Sequence, residues 1–367
     1  AYLRQAMDDN SLSHHTADSC LFPLPPSGVD QIQRGSRKAI EILTEQLNRT
    51  PTDLRFRWLL NFAFMSVGEY PDKVPPQCRM DPKLFESEHD IKRFPDVAPG
   101  LGLDWDGLAG SSVIEDFDGD GLLDLLVSTW TANGRLRLFR NTGDGTFAER
   151  TREAGLAEEP GGLNMLQADY NNDGHPDVLV LRGAWLGDAG GHPNSLLRNN
   201  GDGTFSDVTE EAGLLSFHPT QTSAWFDYNS DGWIDLFIGN ETSGQQQHPC
   251  ELFRNNGDAR FTECAASAGV ANIGFVKGVA CGDFNNDGRP DLYLSRLRQA
   301  NVLYRNDGPR SPGAGARSDW KFTDVSASAG VTEPFLSFPT WFWDYDNDGW
   351  LDLFVVGYAL RSLGDIA

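Results

Sequence analysis

Five stretches of this chain place oxygen-bearing side chains at one fixed spacing. The first runs Asp116-Phe117-Asp118-Gly119-Asp120-Gly121-Leu122-Leu123-Asp124, and copies begin at Asp169, Asp227, Asp283 and Asp344, in steps of 53, 58, 56 and 61 residues. Carboxylate or amide oxygens stand at positions one, three, five and nine. These are Asp116, Asp118, Asp120 and Asp124 in the first copy; Asp169, Asn171, Asp173 and Asp177 in the second; and Asp227, Asn229, Asp231 and Asp235 in the third. The fourth has Asp283, Asn285, Asp287 and Asp291, and the fifth Asp344, Asp346, Asp348 and Asp352. Glycine is always sixth, where a tight turn needs it. The seventh residue (Leu122, His175, Trp233, Arg289 or Trp350) can add its backbone carbonyl. A cage of oxygens without sulfur or imidazole suits a hard cation, Ca²⁺ above others, and one ion per loop gives about five per chain.

An EF-hand needs a bidentate Glu at the twelfth position, and Val127, Val180, Ile238 and Leu294 stand there in the first four copies. An ordinary solvated turn would account for one such copy, but turn chemistry does not demand the ninth carboxylate that all five keep. Something must hold these loops open at one end and closed at the other. Apolar runs such as Leu123–Val127 and Asp352–Val356 read as buried strands that begin as each loop closes. A second phrase alternates with the first: Leu138-Phe-Arg-Asn-Thr-Gly-Asp-Gly-Thr-Phe147 returns from Leu196, from Leu252 and, with an insertion, from Leu303. Its Asn/Gly/Asp core between apolar stretches predicts a hairpin. Each period therefore offers four antiparallel strands, the pattern of a β-propeller blade. Blades fall at about 104–156, 157–214, 215–270 and 271–331, followed by the first two strands of a fifth. Phe94-Pro-Asp-Val97 matches an outer-strand phrase and could close the last blade.

The pairing of D-x-[DN]-x-D-G-x-x-D with L-x-R-N-x-G-D-G-x-F over residues 90–360 resembles the FG-GAP/VCBS repeat family with its integrin α-type calcium loops. More narrowly it resembles the ASPIC/UnbV (cartilage acidic protein-like) group. The resemblance implies a calcium-stabilised propeller, commonly of seven blades, in an exported protein, extracellular or periplasmic, used for adhesion or partner binding. It implies no general catalytic activity. With four blades and part of a fifth visible, the propeller is expected to be incomplete at its C-terminal side. The helical hairpin followed by Gly68-Glu-Tyr-Pro-Asp-Lys-Val-Pro-Pro76 looks like bacterial members, so a bacterial source is expected.

Three regions follow: an extended lead-in over 1–28, a helical hairpin and linker over 29–92, and the propeller over 93–367. Ile32, Ala39, Ile40, Leu43 and Leu47 mark one helical face; Leu54, Trp58, Leu59, Phe62 and Phe64 mark a second, resembling one tetratricopeptide-type unit that must dock on something. With 30 basic against 53 acidic residues and a net charge of −23, nucleic acid is excluded as a partner class. Seventeen of the acids are aspartates of the five loops, so bound cations would offset much of that charge. No apolar run is long enough to span a membrane. Five cysteines lack metal spacing; Cys20 with Cys78 and Cys250 with Cys264 are each equally readable as a disulfide or as free thiols.

The acid loops and hairpins share one end of the strands. The opposite end carries the long insertions 182–194 and 239–250, and there a protein or glycan partner is expected to meet Arg182, Trp185, His192, Glu241, His248 and Lys277. Two alternatives stand beside this binding role. One is a structural subunit of a larger assembly; the other is a saccharide lyase or hydrolase using Arg182, Lys277 or a histidine, although no nucleophile or HExxH-like motif supports it.

Overall fold

The computed structural model describes residues 2–11, 23–86, 94–105, 107–131, 133–311 and 319–357, and Cys20 lies outside them. Among the described residues two compact units divide the chain, one up to Pro99 and one from Gly100 to Gly357.

In the first unit, residues 2–11 are not an extended lead-in. Tyr2–Ser11 form helix α1, which buries Leu3 and Ala6 against α2 (Arg34–Arg49). Gly35 permits this contact, because a Cβ there would lie 2.7 Å from the carbonyl oxygen of Tyr2. Asn10 ties α1 to the segment just before α2: its amide donates to Ile32 O at 3.0 Å and its Oδ1 accepts from Gln31 N and Ile32 N, both at 3.0 Å. Helix α3 (Leu54–Ser66) starts under Asp53, whose carboxylate accepts from Arg55 N and Phe56 N and satisfies two of the free amides of the first turn. Ala39, Leu43 and Leu47 of α2 meet Leu60, Ala63 and Phe64 of α3. The face of α3 is rotated from the expected one: Leu54 is 72% exposed and Trp58 lies at the edge, while Leu60 and Asn61 are buried. Asn61 explains the rotation, since it donates to Cys78 O and accepts from Met80 N, tying residues 78–80 across the helix.

The second unit is all antiparallel sheet apart from single helical turns. Sheet 1 takes β1 (Ala109–Glu115), β2 (Asp124–Thr129), β3 (Arg137–Asn141) and β4 (Phe147–Glu149) in chain order. Sheet 2 repeats it with β5 (Asn164–Ala168), β6 (Asp177–Leu181), β7 (Ser195–Asn199) and β8 (Phe205–Asp207). Sheet 3 has β9 (Thr220–Phe226), β10 (Asp235–Asn240), β11 (Glu251–Asn255) and β12 (Phe261–Glu263). Sheet 4 has β13 (Val276–Gly282), β14 (Asp291–Arg296), β15 (Val302–Pro309) and β16 (Trp320–Asp324). Sheet 5 holds β17 (Ser337–Trp343) and β18 (Asp352–Gly357). Phe94–Val97 form no strand, and Phe94 is 93% exposed.

Neighbouring sheets meet through their first strands, β1 with β5, β5 with β9, β9 with β13 and β13 with β17. Their faces pack on one another, so that Ala224 and Phe237 of sheet 3 share a core with Leu292 and Leu294 of sheet 4. The last sheet breaks the series. Leu126, Leu179, Phe237 and Tyr293 occupy one register position and are 0–2% exposed, whereas Phe354 at the same position of sheet 5 is 50% exposed beside Trp341 and Trp343.

Cys78, Cys250, Cys264 and Cys281 are free thiols. Cys264 Sγ contacts the Tyr228 hydroxyl at 3.4 Å instead of bonding to Cys250.

Candidate metal centres and the opposite end of the sheets

Each acid loop joins the first two strands of its sheet, and one backbone shape recurs in all five. Positions four and six are left-handed: Gly119 and Gly121 in the first loop, then Asn172 and Gly174, Ser230 and Gly232, Asn286 and Gly288, Asn347 and Gly349. Glycine is favoured at six, and the fourth position draws on Gly, Asn and Ser. The first aspartate closes the loop. Asp116 Oδ1 accepts from Asp120 N at 3.1 Å and its Oδ2 from Gly121 N at 2.8 Å. Asp169, Asp227, Asp283 and Asp344 do the same for their own fifth and sixth amides. The fifth aspartate accepts from the seventh N–H in every loop, for example Trp233 N to Asp231 at 3.0 Å.

In four of the five loops the ninth aspartate is the buried end of the motif, Asp352 being exposed. Asp235 Oδ2 accepts from Tyr228 N at 3.1 Å and its Oδ1 from Asn255 N of β11 at 2.7 Å; Asp124, Asp177 and Asp291 repeat both bonds. Asp352 repeats the first, to Tyr345 N. Burial pushes the carboxyl groups up, Asp177 to about 7, Asp235 to about 8 and Asp291 to about 6, with neighbouring loop carboxylates adding to the rise and the backbone bonds opposing it. Such groups are ionised at neutral pH only at a cost, which a cation removes.

The donor set fits a hard cation. In the first and last loops, carboxylate oxygens of Asp116, Asp118 and Asp120, and of Asp344, Asp346 and Asp348, lie within 4.8 Å of one another. The three middle loops replace the third carboxylate by Asn171, Asn229 or Asn285, whose amide nitrogens turn toward the fifth aspartate at 2.7, 3.2 and 3.0 Å. An amide flip would present oxygen instead. In loop 1 Arg140 pairs with Asp118 and with Asp120 at 2.9 Å, and in loop 4 Arg289 reaches Asp287 at 2.5 Å, so two loops already carry a cationic side chain.

Sequence reading missed the residue that connects each of the first three loops to the next sheet. Asn199, Asn255 and Asn306 are fully buried. Their Nδ2 atoms donate to Phe117 O, Tyr170 O and Tyr228 O in the loop of the preceding sheet, at 2.8, 2.8 and 2.9 Å. Their Oδ1 atoms accept from the hairpin glycines Gly201, Gly257 and Gly308. The signal was the unvarying Asn of the Arg-Asn pair, taken only as turn chemistry.

At the opposite end, four of the six residues expected on a surface are buried. Arg182 is a clamp: its guanidinium donates to Glu159 (2.8 Å), Pro160 O (2.7 Å), Pro193 O (2.9 Å), Ser195 Oγ (2.7 Å) and Gly161 O (3.1 Å). Lys277 and Glu241 form an ion pair of 2.5 Å with side chains fully out of solvent. The ammonium also lies 3.1 Å from the ring centroid of Trp185 and 4.2 Å from that of Phe275, and Trp185 N donates to Glu241 Oε2 at 2.9 Å. Burial lowers Lys277 to about 8, against the pull of Glu241. His248 is buried against His218. Trp185, 44% exposed, and His192 are the accessible members, His192 lining a cavity of about 200 Å³ with Trp130, Arg182 and Leu186. The two insertions touch, Asp188 accepting from Gln245 N and Gln246 N at 3.0 Å each.

With this geometry in place, comparison with known proteins is informative. A family model described as an FG-GAP-like repeat matches residues 116–180, 184–238, 227–294 and 283–355. The chain is similar to cartilage acidic protein 1 of Homo sapiens, 27% identical over 249 residues, covering 65% of this chain and 35% of that protein. It is 25% identical over 260 residues to the Mus musculus protein, covering 68% and 37%. It thus spans about a third of the length of these relatives. Among solved structures, the biofilm matrix protein Bap1 of V. cholerae aligns over 56% of this chain and 38% of its own, with 14% identity and a TM-score of 0.26.

Proposed function

The chain belongs to the FG-GAP-like repeat family, and from that membership we propose that its sheets are blades of a calcium-stabilised β-propeller acting as a protein- or glycan-binding module of an exported protein. One observation carries the calcium reading: five loops share the same two left-handed residues and the same closure by the first aspartate, and four bury a ninth carboxylate. Oxygens of positions one, three and five, the ninth carboxylate and the seventh carbonyl would hold the ion, which would supply countercharge beyond that given by Arg140 in loop 1 and Arg289 in loop 4. The propeller reading is supported by first strands that meet in chain order and by faces that interleave sheet by sheet.

Binding is favoured over catalysis because Arg182 and Lys277, two of the groups a saccharide lyase or hydrolase would call on, are held in buried contacts, Arg182 by carbonyls and Glu159 and Lys277 by Glu241. A second reading, subunit of a larger assembly, is favoured by the uncovered face of Trp341, Trp343 and Phe354. Among the described residues no helix is long and apolar enough to cross a membrane. The test is retention of the chain on immobilised polysaccharides and secreted proteins in calcium and in EGTA. Calcium-dependent retention that weakens by about 2 kcal/mol in Trp185→Ala is expected if that ring anchors the partner; retention indifferent to both would overturn the reading.

A further inference from the structure

We propose that His218 and His248 form a two-histidine site for a divalent transition-metal ion of the Zn²⁺ or Cu²⁺ kind, at the end of sheet 3 opposite its acid loop. Their Nδ1 atoms face each other at 2.9 Å, with the rings inclined at 74°. Two neutral imidazoles can share one proton across that gap and nothing more. The arrangement leaves His248, 4% exposed, with a buried Nε2 that has no partner among the described residues. A cation between the two Nδ1 atoms would replace the shared proton and meet a nitrogen lone pair from each ring, with His248 then carrying its proton on Nε2.

The backbone presets the pair. Both histidines precede proline, Pro219 and Pro249, which confines each to extended conformations. His248 N donates to Thr242 Oγ1 at 2.8 Å and His248 O accepts from the same hydroxyl at 3.1 Å. His218 O accepts from Thr220 Oγ1 at 3.1 Å. Zinc sits about 2.0–2.1 Å from imidazole nitrogen in tetrahedral sites. The nitrogens therefore need to part by only a few tenths of an ångström for the ion to replace the shared proton. His218 is half-buried, and water would have to complete the ion's coordination. Asp188, held by Gln245 N and Gln246 N, adds a negative charge that acts on His248. The donors separate this site chemically from the loops: imidazole selects borderline transition ions, whereas the acid clusters offer oxygen alone.

The experiment is a Co²⁺ titration of the chain held in saturating Ca²⁺, read by visible absorption. One equivalent should raise the intense band of nitrogen-ligated, low-coordinate cobalt, and Zn²⁺ should displace it. The band should vanish in His218→Gln and survive in Asp344→Asn. His218 carries the decisive variant because it is half-buried; circular dichroism matching the parent confirms its fold, and His248→Gln is the second variant. Absence of a band, or a band unchanged in His218→Gln, overturns the proposal. The outcome is independent of whether the acid loops take calcium.

Discussion

At the acid-loop end, the same bonds recur from sheet to sheet: first aspartate to fifth and sixth amides, ninth aspartate to the second amide and to the asparagine of the third strand. At the opposite end, sheet 2 is clamped by Arg182, sheets 3 and 4 by the Glu241–Lys277 pair beneath Trp185, and the entry to sheet 3 by two histidines. One end is thus a repeated loop geometry and the other a set of single solutions. The lesson is that one loop motif, proposed above to hold an ion, is kept in every repeat, whereas packing between neighbours has only to be solved once at each junction.

Chelation should break the first end and spare the second. Binding to the folded state contributes about 2.7 kcal/mol per site at a hundredfold excess over Kd, so EGTA should lower the melting temperature steeply, and an unchanged curve contradicts calcium in the loops. A pH series sharpens this. Asp177, Asp235 and Asp291 have folded values raised above that of a free carboxyl. In the metal-free chain the folded state then binds more protons than the unfolded one, so their contribution is full at acid pH and is lost as pH climbs toward about 8. Melting in EGTA should fall between pH 5 and 8, and excess Ca²⁺ should abolish that fall; a flat profile in EGTA would count against the buried ninth carboxylates.

The opposite end should respond to single substitutions. Lys277→Met leaves Glu241 buried without its cation and should cost about 3–5 kcal/mol in urea unfolding, while Lys277→Met with Glu241→Leu recovers most of it. Equal losses in the single and double variants would show that the pair is not coupled. Smaller still, Asn255→Ala removes the bond to Tyr170 O and the support of Gly257, worth about 1–3 kcal/mol. A loss within error there would deny the asparagine its role between sheets.

The strands and loops were legible because a nine-residue spacing and period-two apolar runs are local properties. What lay between repeats was not. The strand containing Val276 and Lys277 reads as apolar with a stray charge, and only the neighbouring sheets reveal that Glu241 and Trp185 cover it. Arg182 likewise follows a buried run, and its five oxygen partners come from two separate segments, 159–161 and 193–195. Helix α1 escaped because its partner surface on α2 depends on the missing side chain of Gly35, which composition does not flag. The face of α3 was misjudged because Asn61, polar and buried, is explained only by the backbone it binds at residues 78 and 80.

The central claim is that all five loops are cation sites. The direct measurement is the number of Ca²⁺ ions bound per chain at equilibrium after stripping, in the parent and in a variant carrying Asp116→Asn and Asp120→Asn. The parent should bind about five ions, one for each acid loop, and the variant one fewer. Binding of no calcium, or an undiminished count in the variant, would contradict it.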